Sequence, residues 1–320
     1  MMAEKRVRRI SLMFVIMAGA CWGIIGIFSK SLSEIGFSPI QIVFLRFGFS
    51  AVLVWLYILI FDRDKMKIRF KDIWMFIGTG VLSLTLFSTL YFTTIQYTTL
   101  SLAAVLLYTA PCFVLMMSAI IFREKISKAK VTALLLAFFG CVCTSGLLET
   151  ALRGNALNSV SLTGILTGVG AGFGYALYSI FGTLALKKYD TITVTAYTFL
   201  ITTVTLLPFC FGKEFFVLFQ CKGTLPSVVG ITLVSTLLPY LLYTQGLKFI
   251  QPGKASVLAF SEPLIATLTG LLVFREKLTI GGAAGIILIF VSIVILNTKD
   301  HPKKDAENIN KPINDTLEKT

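Results

Sequence analysis

Charge is scarce in this sequence. Only 14% of its 320 residues are Asp, Glu, Lys or Arg, against roughly 25% in soluble domains, while 56% are hydrophobic. With a mean hydropathy of +0.84, the chain falls outside the soluble globular class. Histidine is scarcer still: the one present, His301, sits in a polar C-terminal stretch, and the apolar runs hold no paired carboxylates or metal-ligand clusters. General acid–base catalysis and metal binding therefore lack their usual residues, which argues against a membrane enzyme and implies neither cofactor nor metal. The six cysteines mostly lie inside apolar runs, where a thiol behaves as a small hydrophobe, so no disulfide framework is implied. Cys141 and Cys143 have one residue between them, not the two of common zinc and redox motifs. A phosphate loop is missing too. Six residues rather than four separate Gly246 from the Gly253-Lys254 pair, and Ala255 stands where Ser or Thr is needed.

What the sequence has is apolar runs. Each span of a bilayer takes about 20 residues, and hydropathy places spans near 10–31, 40–61, 73–94, 100–122, 128–147, 161–184, 192–212, 227–248, 254–274 and 279–297. The first run continues for about 20 residues behind a basic start and lacks an A-x-A site, so it reads as a span and not a signal peptide. Counting Lys and Arg orients the chain. With a cytoplasmic N-terminus, 22 of the 29 fall on the cytoplasmic side and six outside, with Arg46 inside a span. The net charge of +13 is therefore a topological signal, and no nucleic-acid partner is implied.

The chain also repeats itself. Ala103 to Pro111 and Ile121 to Ser127 match Ala255 to Pro263 and Val273 to Thr279 at a constant offset of 152 residues. Upstream, Gly19-Ala-Cys-Trp22-Gly23 answers Gly170-Ala-Gly-Phe173-Gly174. Two tandem copies of five spans must enter the membrane in opposite senses, the inverted-repeat plan of many secondary transporters, whose sites lie near the midplane between repeats. The expected fold is all-α and membrane-integral, with ten transmembrane helices as two inverted five-helix repeats and both termini cytoplasmic. The parts are a basic N-terminus (1–9), a first repeat (10–147), an external linker (148–160), a second repeat (161–297) and a disordered polar tail (298–320).

Trp22-Gly23 with Lys30 beyond it, the Pro39 to Arg46 stretch, and the twice-used Ala-Pro or Glu-Pro followed by Phe-Arg-Glu-Lys resemble the EamA family of the drug/metabolite transporter superfamily over about residues 10 to 297. The resemblance implies a ten-helix carrier of the cell membrane, here a bacterial inner membrane, often an exporter of amino acids or other metabolites. Its partners would be a small-molecule substrate and membrane lipid, with the protein a monomer or homodimer. A lipid or polyprenyl-carrier flippase is the alternative.

Several residues are candidates for substrate binding or coupling. Pro111 and Pro263 are repeat equivalents, and each removes a backbone hydrogen bond to the carbonyl four residues earlier, Leu107 and Ala259. Glu262 is the one carboxylate deep in a span, about 12 Å from its cytoplasmic end at 1.5 Å per residue. It is open to three roles: proton coupling, counter-charge for an amine, or a structural ion pair with Arg46 or Lys254. Arg46, about 9 Å from the outer end of its span by the same rise, either binds a substrate carboxylate or snorkels to the interface. Trp22, Tyr91, Tyr108, Phe173, Tyr175, Tyr178 and Tyr243 are polar-tipped or large aromatics within spans, and three or four of these seven are expected to line a cavity. Gly164, Gly168 and Gly172, like Gly281 and Gly285, have the small-x3-small spacing of close helix contacts, serving packing or dimerisation. Arg123-Glu124-Lys125 reads as helix-end charge at the membrane surface.

Overall fold

Backbone in lipid must satisfy its own N–H and C=O groups, so apolar runs of this length fold as helices. A computed structural model describes residues 2–147, 161–210 and 215–299, and the elements among them are helical, with no strand. In chain order they are α1 (Met2–Gly23), α2 (Ile25–Ile35), α3 (Pro39–Phe61), α4 (Ile73–Ile77), α5 (Leu86–Tyr97), α6 (Leu100–Leu107), α7 (Ala110–Ile121) and α8 (Lys128–Thr144). The second half holds α9 (Leu162–Leu186), α10 (Thr191–Leu206), α11 (Thr224–Thr232), α12 (Leu238–Leu247), α13 (Pro252–Leu258), α14 (Ser261–Leu272) and α15 (Ile280–Lys299). Among the described residues, nine helical stretches are long and apolar enough to cross a membrane. The remaining long helix, α8, has 17 residues, fewer than any of the nine. The expected linker 148–160 and the tail from 300 lie outside the described residues. Residues 2–9 are the first turns of α1.

Local chemistry explains the boundaries. Ser38 caps α3 by accepting from Gln41 N–H at 3.4 Å while Gln41 Oε1 accepts from Ser38 N–H at 2.8 Å, and Pro39 fills the first helical position, where no N–H is needed. Ser127 and Asp190 cap α8 and α10 with their side-chain oxygens in the same manner.

The same irregularities recur in both halves. Between α4 and α5 the backbone widens into π-helical turns over Gly78–Thr85, and between α11 and α12 it does so over Leu233–Leu237. In both, a threonine hydroxyl bonds five residues back: Thr85 to the Gly80 carbonyl at 3.0 Å and Thr236 to the Ile231 carbonyl at 2.8 Å. The α6–α7 and α13–α14 stretches are each interrupted just before the proline expected to break them. At these interruptions the chain tightens to three-residue bonds, Thr109 N–H to Leu106 O at 3.2 Å and Glu262 N–H to Ala259 O at 2.9 Å. Arg123 and Arg275, the non-glycine residues with positive φ among the described residues (53° and 56°), end the two stretches alike.

Glycines let the halves interlock. α1 crosses the α13–α14 break, where a Cβ on Gly19 would collide with Ser261 Oγ and one on Gly23 would sit 2.6 Å from the Glu262 carbonyl. α9 crosses the α6–α7 break, where a Cβ on Gly172 would lie 2.5 Å from Thr109 Oγ1 and 3.1 Å from the Leu106 carbonyl. Gly285 of α15 meets Gly140 of α8, its would-be Cβ 2.5 Å from the Gly140 carbonyl. These small-residue stripes are thus used within the chain for packing.

Two charge placements differ from the sequence reading. Glu124 is not an exposed helix-end charge: it is 6% exposed and paired with Lys130, itself 2% exposed. Lys254, a loop charge by hydropathy, is 3% exposed, and its Nζ donates to the Leu296 carbonyl at 2.9 Å. Hydropathy treats every lysine beyond an apolar run as a loop residue, whereas tertiary contacts supply both of these with buried partners.

Candidate functional site

Because α1 can touch the α13–α14 break, Trp22 is brought against residues of α9 and α12. Its ring lies 5.2 Å from Tyr240, 5.4 Å from Tyr243 and 6.4 Å from Tyr175, centroid to centroid. Together with Tyr178 and Ser179 these side chains line a cavity at the centre of the main core. Edge-to-face contacts hold the wall in place, and hydroxyl pairs lock its polar tips: Tyr178 Oη to Thr244 Oγ1 at 2.7 Å and Tyr243 Oη to Ser179 Oγ at 2.8 Å. Trp22 Nε1 is buried and has no acceptor among the described residues.

Glu262 stands in the first turn of α14, one residue before Pro263. Tyr175 Oη donates to its Oε2 at a long 3.4 Å. The carboxylate is only partly enclosed, as are Tyr175, Tyr91 and Tyr108, which surround the same region. Phe87 bridges Tyr91 at 6.1 Å and Tyr175 at 5.2 Å, while Tyr108 faces Phe260 at 5.9 Å.

Arg46 borders the aromatic wall beside Phe47. Its guanidinium carbon lies 4.9 Å from the ring of Phe47, which contacts Tyr240 at 5.7 Å. Nε donates to Thr236 Oγ1 at 2.9 Å and Nη2 to the Ser235 carbonyl at 3.5 Å, so Arg46 is tied to the π-helical turns of the second half. Its other N–H groups carry no hydrogen bond among the described residues. The ion pair with Glu262 that the sequence left open is not formed among those residues.

The remaining sequence candidates sort by geometry. Pro111 and Pro263 are buried at the starts of α7 and α14, where they mark the two breaks. Phe173 points away, 41% exposed and 5.5 Å from Phe113. Lys30 is exposed above the Phe274 ring, its Nζ 4.5 Å from the centroid. Tyr240, Ser179, Thr236 and Phe47 were not singled out by the sequence. Tyr240 lies one helical turn before Tyr243, a spacing that puts both on one face and that was the available signal. No group of three or more metal-ligating side chains occurs among the described residues.

Comparison with known proteins agrees on one class. The model of the EamA-like transporter family matches residues 9–146 and again 162–298. An uncharacterized transporter of Archaeoglobus fulgidus is 29% identical over 262 residues, covering 82% of this chain and 90% of that protein. The uncharacterized transporter YvbV of Bacillus subtilis is 26% identical, with 75% of this chain and 77% of its own length aligned. The uncharacterized inner membrane transporter YicL of Salmonella typhimurium is 27% identical over 61% of this chain and 63% of its own. A solved crystal structure superposes with a TM-score of 0.74 at 15% identity, covering 89% of this chain and 95% of that one, a likeness of fold alone.

Proposed function

The chain belongs to the EamA-like transporter family, and from that premise we propose that it is a secondary transporter exporting a small amphipathic metabolite, an amino acid or amine, by alternating access. In this reading α8 is the fifth span and brings the total to ten, the two halves are inverted repeats, and both termini face the cytoplasm of a bacterial cell. The matched π-helical turns and matched helix breaks support the repeat plan, and the Lys and Arg distribution supports the orientation. The missing phosphate loop leaves a gradient, or no energy source at all, to drive transport.

One observation carries the reading. Glu262 and Arg46 border one aromatic wall, beside matched helix irregularities, and are not joined to each other. Discontinuous helices place such groups where a substrate can reach them near the midplane. The aromatic faces suit an apolar side chain, the carboxylate an amine, the guanidinium a carboxylate. Glu262 serves as the proton-coupling group as well as the counter-charge.

Thermal unfolding of the purified protein against amino acids, amines, nucleosides and vitamins tests this. A ligand that binds the folded state alone adds about 2.7 kcal/mol at a hundred times its Kd. The expected result is a rise in Tm with an amino acid or amine, lost in Arg46→Ala. Silence across those two classes together with a hit elsewhere would sink the proposed substrate class.

A further inference from the structure

At one end of the molecule the two halves are fastened by buried charge. Glu124, in the connection between α7 and α8, accepts from Lys130 Nζ on Oε1 at 2.8 Å and from the Gly253 N–H on Oε2 at 3.1 Å. Lys130 Nζ also donates to Gln251 Oε1 at 2.7 Å and to the Lys125 carbonyl at 3.0 Å, so all three ammonium protons are used. The two charged side chains are 3% and 2% exposed. Gly253 is part of the design: a Cβ there would come within 2.7 Å of Glu124 Oε1 and 2.9 Å of Leu115 Cδ2. Gln251 and Gly253 begin α13, which is buried along its whole length and leads through the break to Glu262. At 1.5 Å per residue the fastening lies roughly 16 Å from that carboxylate.

The opposite end carries the same backbone without the fastening. Glu276 follows a positive-φ arginine as Glu124 does, and its N–H bonds the Gly270 carbonyl at 3.0 Å as that of Glu124 bonds Ser118 at 3.2 Å. Yet Glu276 is exposed and forms no ion pair among the described residues. At the repeat offset, the positions of Lys130, Gln251 and Gly253 are taken by Gly282, Thr99 and Ser101. The start of α6 is correspondingly open, with Leu100 63% exposed.

We propose that Glu124, Lys130, Gln251 and Gly253 form the gate that shuts the path on the Lys- and Arg-rich side, and that its missing counterpart makes the closed-inside state the resting state. This rests on the alternating-access reading above. Opening the inner side requires α13 to part from the α7–α8 connection, which the clasp forbids while it is intact. Closure of the outer side gains no equivalent ion pair, so the two states differ in stability.

Labelling of a cavity-wall thiol reads the gate without needing the substrate. In a chain whose native cysteines are replaced by serine, Ser179→Cys is exposed to a membrane-impermeant thiol reagent in right-side-out and in inside-out vesicles. With the clasp intact, labelling is expected to be faster from the outside. Glu124→Gln and, independently, Gln251→Ala are expected to raise labelling from the inside at least about tenfold. Unchanged inside labelling in Gln251→Ala and in every well-folded Glu124 variant overturns the gate and leaves the transport reading standing. A thiol that reacts with a small permeant reagent but from neither side with the impermeant one, in all variants, overturns both.

Discussion

Glu262 enters the first turn of α14, where the free N–H groups of a helix start favour negative charge. Its one hydrogen-bond donor among the described residues, Tyr175 Oη at 3.4 Å, leaves it far less satisfied than Glu124, which holds an ammonium and a backbone N–H. A carboxylate kept in a bundle interior with so little compensation is better explained by work than by stability. Glu262→Gln preserves shape and removes the titrating charge. Proton-driven flux in reconstituted vesicles is expected to vanish while thermal unfolding stays unchanged, and normal flux with normal pH dependence in the variant would remove the coupling role. At this scale the sequence showed Glu262 and Arg46 as charges inside apolar runs, and Trp22 among the aromatics of the spans. It did not show Tyr240 or Ser179, because an aromatic or a serine on a span is ordinary until its neighbours are known.

Helices carry the second layer of argument. The prolines predicted breaks at two matched places, and both breaks occur; at the second, the Glu262 N–H supplies the Ala259 carbonyl that Pro263 leaves without a donor. The π-helical turns had no sequence signal of that clarity, since they depend on side chains such as Thr85 and Thr236 finding carbonyls five residues back. Close helix pairs follow from glycine. Along α8 and α15 a single added methyl at Gly285 would press on the Gly140 carbonyl, a backbone atom that cannot rotate away. Gly285→Ala is therefore expected to cost about 1–3 kcal/mol, read as a lower midpoint in thermal unfolding in detergent. An unchanged midpoint would mean the two helices separate freely. Gly282→Ala, whose added Cβ would meet side-chain atoms no closer than 3.2 Å, is the matched control.

For the whole molecule, the proposed plan of two five-span repeats, joined with the Lys and Arg asymmetry, puts both ends of the chain on one side of the membrane. Peptide tags fused before Met1 and after Thr320 make this measurable. Protease added to right-side-out vesicles is expected to spare both tags, and protease added to inside-out vesicles to remove both. Removal of one tag from each preparation would mean an odd number of spans and would withdraw α8 from the membrane. Packing across the halves gives such a molecule a means of moving: α1 covers the break of the second half and α9 that of the first, so a shift of one half displaces the site of the other.

The membrane class and the two proline breaks followed from the order of residues, and the proposed repeat plan and orientation are argued from it, because hydropathy, charge bias, repetition and proline chemistry are local or periodic properties. The partners of buried charges did not follow. Glu124 and Lys130 are separated from Gln251 by more than a hundred residues, Arg46 from Thr236 by nearly two hundred, and Trp22 from its tyrosine wall by a similar distance. Nothing periodic links such positions. Only the packing of one half against the other decides whether a charge beyond an apolar run faces water or a buried counter-charge, and here it made a surface motif into a clasp.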